Sequence, residues 1–227
     1  MMRIAHANKI KTAAAALAAA LLMCALGLVG CSGQSASSAS SSSASADNGV
    51  GVHHATLEVE GYDPITIELD GDAAPKSVEN FMTLAKDGYY DGKTFYRIVD
   101  DFCLQGGTLG NSASGNDPSL ESIKGEFSTN GVDNPLADSF DRGVVAMART
   151  TMPDSATSTF FVTLGNASQV GASLDGQYAA FGTIDDAGMK VIDQIVTDFL
   201  PNVDDPNMGA ISDEAKQPII KSITITD

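Results

Sequence analysis

The sequence predicts a mainly β domain, a β-barrel or sandwich with helices at its ends. Seven short runs read as strands. Only two segments carry a helical period, and they stand far apart. Strands and helices do not alternate as they would in a doubly wound sheet.

The elements follow in order. Thr56 to Glu60 and Ile65 to Leu69 alternate polar and apolar residues about the turn cluster Gly61-Tyr62-Asp63-Pro64, which predicts a β-hairpin. Pro75 opens a predicted helix. Val78, Phe81, Met82 and Ala85 then fall at i, i+3, i+4 and i+7, and Gly88 ends it. Strand-like runs follow at 94–99, 144–148, 160–164 and 179–184. A second helix fits 187–197, with Met189, Ile192 and Val196 on one face. Residues 219–226 close the chain as a strand in which Ile223 and Ile225 alternate with polar residues. The stretch from Gly106 to Asp141, rich in Gly, Ser, Asn and Asp, reads as loop. No internal repeat is visible.

The N-terminus reads as an address. Arg3, Lys9 and Lys11 precede an uncharged Ala/Leu-rich run, Thr12 to Val29. Leu28-Val29-Gly30-Cys31 follows, in the order of a bacterial lipobox, so residues 1–30 are expected to be a lipoprotein signal and Cys31 the lipidated residue. An uncleaved membrane helix is the alternative, since the run is near the minimum spanning length. In Ser32 to Ser45, nine of fourteen residues are Ser, which predicts a flexible tether over 31–51. The folded domain is then 52–227.

Composition narrows the function. The 227 residues carry 13 Lys plus Arg against 29 Asp plus Glu, a net charge of −16. Without the first thirty residues 10 cations face 29 acids, or −19. That balance argues against nucleic acid as a partner and against electrostatic adhesion to anionic lipid. Attachment to a membrane must then be covalent or transmembrane. With Cys24 in the signal and Cys31 lipidated, Cys103 stands alone, so no intramolecular disulfide is expected. The three His are His6 in the signal and His53 and His54 at the tether junction. A Ser-His or Cys-His nucleophile therefore has no base in the domain, and a zinc site has too few ligands. No phosphate-cradling loop is present. Carboxylate pairs such as Asp100-Asp101, Asp185-Asp186 and Asp204-Asp205 read as solvated faces. An enzyme built from this chain should need no general base, metal or cofactor.

Three segments stand out: Phe95 to Gly107, with an Arg in an alternating strand and Gln105-Gly106-Gly107 after an aromatic; Ser158-Thr159-Phe160-Phe161-Val162; and Leu174-Asp175-Gly176-Gln177-Tyr178-Ala179-Ala180-Phe181-Gly182. With Pro75 to Phe81, Gly125-Glu126-Phe127 and Gly143 to Arg149, the ordered set resembles the cyclophilin family of peptidyl-prolyl isomerases. The resemblance implies an eight-stranded antiparallel β-barrel, closed and capped by two α-helices. It also implies rotation about X-Pro bonds, a reaction that breaks no bond and fits the eliminations above. Position by position, it makes Arg97 the catalytic guanidinium and Gln105 its holder and a partner for the substrate carbonyl. Phe102, Phe161 and Leu174 would wall a pocket for the proline ring. Cys103 stands where the family usually has Met. Ala148 and Arg149 would offer backbone to the peptide, and Thr159 stands at the groove in place of a usual Gln. Tyr178 stands where many eukaryotic members have His. Asp100-Asp101 replaces a usual Pro-Gly, and Ser173 replaces the Trp of many eukaryotic members.

The expected partners are proline-containing segments of exported polypeptides, met by a monomer held to the membrane through its lipid alone. The expected place is the outer face of the cytoplasmic membrane or the periplasm. A proline-peptide-binding module with little turnover is the alternative on the same fold. A solute-binding lipoprotein would fit the address and tether but leaves the motif set unexplained. For an isolated Arg97 the bland reading is a solvated strand residue paired with an Asp, and Phe160, on the opposite face from Phe161, reads as core.

Overall fold

The computed structural model describes residues 49–112 and 117–227. The expected signal, Cys31 and most of the expected tether lie outside the described residues. Alternation at 52–70 makes the hairpin that it predicts. β1 (Val52–Val59) pairs antiparallel with β2 (Ile65–Asp70), Ala55 opposite Ile67 and Leu57 opposite Ile65. Ala55, Leu57, Val59, Ile65, Ile67 and Leu69 are all buried, the inward set that a period of two selects. His53 and His54 are the second and third residues of β1, so they belong to the sheet rather than to a junction.

The remaining strands are β3 (Phe95–Val99), β4 (Cys103–Gly106), β5 (Val144–Met147), β6 (Phe160–Thr163), β7 (Ala180–Ile184) and β8 (Ile220–Ile225). They form one antiparallel sheet in the order β3-β4-β6-β5-β7-β2-β1-β8. β4 is the strand that the sequence pattern does not reveal.

The expected closed barrel is corrected to a curled, open sheet. Its edges β3 and β8 touch at one bridge, Thr94 to Ile219, flanked by Phe95 N to Pro218 O (3.0 Å) and Ile220 N to Lys93 O (2.7 Å). Beyond that point the edge of β3 is taken by another segment. Ile98 N donates to Gly209 O (2.8 Å), Ile211 N donates to Tyr96 O (2.9 Å), and Arg97 bridges Ala210. Those hydrogen bonds occupy the groups that a β3–β8 ladder would need.

Among the described residues three α-helices, not two, accompany the sheet. α1 (Pro75–Lys86) buries Val78, Phe81, Met82 and Ala85. Its N-cap, Ala74, has no side chain to offer, and a residue from far along the chain supplies the cap instead. The Glu126 carboxylate accepts from Lys76 N (2.9 Å), Ser77 N (2.8 Å) and Ser77 Oγ (2.7 Å). A carboxylate there satisfies orphan amides and meets the positive end of the helix dipole. α2 (Ala167–Leu174) is the added helix. It begins in a capping box, with Ser168 N donating to Asn166 Oδ1 (3.1 Å) and Asn166 N donating to Gln169 Oε1 (2.8 Å). α3 (Asp186–Phe199) buries Met189, Ile192, Ile195 and Val196.

The core is rich in aromatics. Phe160 lies 5.5 Å from Phe81, 5.6 Å from Tyr90 and 5.8 Å from Phe95 between ring centroids, and Phe81 lies 5.0 Å from Phe181. Each such contact adds to the area it buries. The stretch predicted as loop begins on Gly106, the last residue of β4, and after it holds no α-helix or strand among its described residues, yet Phe127, Ala137 and Phe140 are buried in this core.

Candidate active site

The β3–β4 hairpin sets the site's geometry. Its turn bends through Asp101 at φ 55°, left-handed backbone that Asp tolerates better than most residues. Asp100 Oδ1 accepts from Asp101 N (3.1 Å). Asp100-Asp101 thus makes this turn without a Pro-Gly. In the ladder that follows, Arg97 is paired with Gln105 and Gln105 with Phe161, so three side chains form one row across β3, β4 and β6. Gly106 and Gly107 follow because side chains do not fit. A Cβ on Gly106 would lie 2.3 Å from Thr94 O, and one on Gly107, at φ +77°, would lie 2.9 Å from the rings of Phe160 and Tyr90.

The row opens onto a cavity of about 90 Å³ lined by Arg97, Phe102, Cys103, Gln105, Ala148, Arg149, Phe161, Leu174 and Tyr178. The structure therefore brings together nine of the ten residues that the resemblance assigns to catalysis and peptide binding. Thr159 is the exception. It is buried outside the lining, and its carbonyl accepts from Ala148 N (2.8 Å). Phe160 lies in the core, on the other face from Phe161.

Arg97 is held from two sides. Nε donates to Met208 O (2.9 Å), and Nη1 lies 3.1 Å from Gln105 Oε1 and 3.0 Å from Cys103 Sγ. Nη2 has no partner among the described residues. The guanidinium carbon stands 5.9 Å from the Phe102 ring centroid. Burial pushes the Cys103 thiol up to about 11, although Arg97 pulls against it, so the sulfur stays neutral and leaves the Arg97 charge uncompensated.

The motifs assign no role to two parts of this arrangement. Gln105 Nε2 donates to the hydroxyl of Tyr96, which fixes which end of the amide faces Arg97. Burial raises the Tyr96 phenol above its ordinary value, so it remains protonated. Met208 is exposed and distant in sequence, and only the fold of 208–211 along β3 brings its carbonyl to Arg97.

On the other wall, Arg149 lies over two rings, 4.7 Å from the Tyr178 centroid and 5.2 Å from that of Phe127. Its Nε donates to Gln177 O (2.9 Å) and its Nη1 to Thr150 O (2.9 Å). Phe161 meets Tyr178 edge-on at 5.6 Å and stacks on Phe140 at 6.3 Å. Leu174, the last residue of α2, is 3% exposed and completes the apolar wall.

A small cavity with Phe102, Phe161 and Leu174 on its walls and a fixed guanidinium and amide at its edge has room for one compact ring with polar groups set beside it. The chain belongs to the cyclophilin-type peptidyl-prolyl cis-trans isomerase family, whose model matches residues 54–225. It is 37% identical over 156 residues to a peptidyl-prolyl cis-trans isomerase of Acinetobacter baylyi, covering 68% of this chain and 76% of the relative. It is 33% identical over 174 residues to peptidyl-prolyl cis-trans isomerase B of Escherichia coli, covering 72% and 94%. The fold resembles a Cryptosporidium parvum cyclophilin-type isomerase (TM-score 0.61, 24% identity, 78% of this chain and 99% of that one). The same protein crystallised with the dipeptide Ala-Pro gives a TM-score of 0.59 at 25% identity, over 77% and 99% of the two chains. The activity is cis-trans isomerisation of the peptide bond before proline.

Proposed function

We propose that the cavity takes the proline ring and that Arg97 catalyses rotation of the bond before it. The planar amide resists rotation through resonance. The barrier is about 20 kcal/mol and uncatalysed exchange takes roughly 10–100 s. As the bond twists, the prolyl nitrogen turns pyramidal and regains a lone pair. A guanidinium aimed at that nitrogen interacts better with the twisted state than with the planar one. Removing about 6 kcal/mol from the barrier gives about four orders of magnitude in rate. The observation that carries this reading is the clamp on Arg97, which holds Nε and Nη1 while Nη2 has no partner among the described residues. Gln105 orients the guanidinium and meets the substrate carbonyl. Phe102, Cys103, Phe161 and Leu174 hold the ring, Ala148 offers backbone, and Tyr178 supports Arg149. Thr159 supports the groove through its hydrogen bond with Ala148. The Ala-Pro dipeptide in a protein of this fold supports proline-containing segments as partners.

The setting belongs to the same proposal. Residues 1–30 direct export, Cys31 carries lipid, 31–51 tether the domain, and the monomeric domain 52–227 assists folding of exported polypeptides at the outer face of the membrane or in the periplasm. What supports it is the run of charge, apolar stretch and Leu28-Val29-Gly30-Cys31 before a Ser-rich tract. The decisive experiment is a protease-coupled isomerisation assay on the natural protein and on Arg97→Ala. Loss of two or more orders of magnitude in kcat/KM, with an unchanged circular dichroism spectrum, is expected. Near-normal turnover by folded Arg97→Ala would overturn the mechanism.

A further inference from the structure

The described residues contain three arginines. Arg142 forms an ion pair with Asp193. The other two, Arg97 and Arg149, both line the cavity, and neither has a carboxylate partner among the described residues. In a chain with 29 acids and a net charge of −16 this is an uneven distribution: no acid among the described residues forms an ion pair with either of the cavity's guanidiniums. Arg97 has a role in the reaction. Arg149 has none that its side chain explains, because a backbone contact could be made by any residue.

Its side chain is nonetheless fixed. The guanidinium lies over the rings of Tyr178 and Phe127, and two backbone carbonyls accept from it. A guanidinium has five N–H donors. Two are used, and the remaining three, both on Nη2 and one on Nη1, have no partner among the described residues. A planar cation held rigidly with its outer fork open is suited to a carboxylate, which it can meet through two parallel hydrogen bonds.

We propose that Arg149 is a specificity-determining residue that selects peptides bearing a Glu or Asp side chain next to the proline. This rests on the isomerase reading given above and names the substrate class of the same cavity. The preference holds on one side of the proline only. Asp100 and Asp101 stand exposed on the β3–β4 turn beside Phe102 and repel an acidic residue there. The protein's overall charge predicts the opposite sign, since an acidic chain draws cationic peptides over long range. Contact at Arg149 and the global field are therefore separable by the sign of the preference.

The experiment is proton exchange spectroscopy on short peptides with Glu, Gln or Lys immediately before or immediately after proline, at low and at physiological salt. At one of the two positions Glu should exceed Lys by about tenfold in kcat/KM, with Gln between them, as one charge-assisted contact provides. Added salt should shrink the ratio. Arg149→Gln should bring the ratio to one or invert it, whatever happens to the absolute rate, and Arg149→Lys should restore part of it. Lys equal to or above Glu at both positions would overturn the proposal. So would a Glu preference that survives in Arg149→Gln, which would assign it to Arg97. If no peptide is turned over, the isomerase reading fails instead. Binding of the same peptides, followed by their line broadening, then still reads the Glu-to-Lys ratio and decides the role of Arg149.

Discussion

Tyr96→Phe isolates a part of the site that the motifs do not show. The substitution removes one buried oxygen and leaves the ring, so packing in β3 is nearly unchanged. The loss falls on Gln105, whose Nε2 donates to that hydroxyl while its Oε1 accepts from Arg97 Nη1 at 3.1 Å. Without the hydroxyl, the amide either keeps an unsatisfied N–H or rotates and turns a donor toward Arg97. A buried donor left unpaired costs about 1–3 kcal/mol. Gln105 is only half-buried and water can reach it, so the low end applies, about 1 kcal/mol. Arg97 keeps its contacts with Met208 O and Cys103 Sγ, so the guanidinium is loosened rather than lost. A factor of about five to ten in kcat/KM follows, since 1.4 kcal/mol is tenfold. The loss should fall on kcat more than on KM, because the proline ring still has its apolar walls. The assay is protease-coupled turnover on the natural protein, Tyr96→Phe, Gln105→Ala and the double variant. If Tyr96 acts through Gln105, the double variant loses no more than Gln105→Ala alone. Unchanged kcat/KM in Tyr96→Phe, or additive losses in the double variant, would refute the positioning role.

Other outcomes are expected. kcat/KM should be flat between about pH 6 and pH 8, because no group lining the cavity has an ordinary pKa in that range. Burial moves the Cys103 thiol up to about 11, further from that range, so it is neutral throughout. A bell-shaped profile would expose an acid or base not identified above. Glu126→Ala should destabilise the fold by about 2 kcal/mol in urea unfolding, since it removes the cap of α1 and strands Ser77 Oγ in the core. A loss under a few tenths of a kcal/mol would show that water replaces the carboxylate. Cys31→Ser should move the protein from the membrane fraction to the soluble fraction, and retention would support an uncleaved membrane helix.

The elements legible in the sequence are those that announce themselves locally. The β1–β2 hairpin alternates about a four-residue turn cluster, and α1 carries Pro at its start and a complete apolar stripe. β4 is four residues long and buried at three of them, so it has too few positions to alternate visibly. α2 presents only Val170, Gly171 and Leu174 to the interior, too little for a stripe, although the spacing of Asn166 and Gln169 is a capping-box signal that could have found it. Glu126 under α1 and Met208 against Arg97 depend on contacts 49 and 111 residues apart in sequence, which no local pattern encodes. The resemblance reached nine cavity residues because a motif records positions, whereas Tyr96, inside the motif but without a role there, and the 208–211 segment outside it act through three-dimensional contacts.

Strand register explains why so short a set of residues suffices. Arg97, Gln105 and Phe161 face one another because β3, β4 and β6 pair as they do. A slip of one residue in β6 would exchange Phe161 for Phe160, filling the cavity wall from the wrong face and emptying the centre of the aromatic core. Phe160 guards against that slip, since its contacts with Phe81, Tyr90 and Phe95 are available in one register only. Gly107 guards it from just past the end of β4, because only a residue without Cβ can pass so close to the rings of Phe160 and Tyr90. The core therefore fixes the register, and the register places the guanidinium beside the cavity. A core substitution such as Phe160→Leu would then act on turnover as well as on stability, by loosening the row in which Arg97 is held.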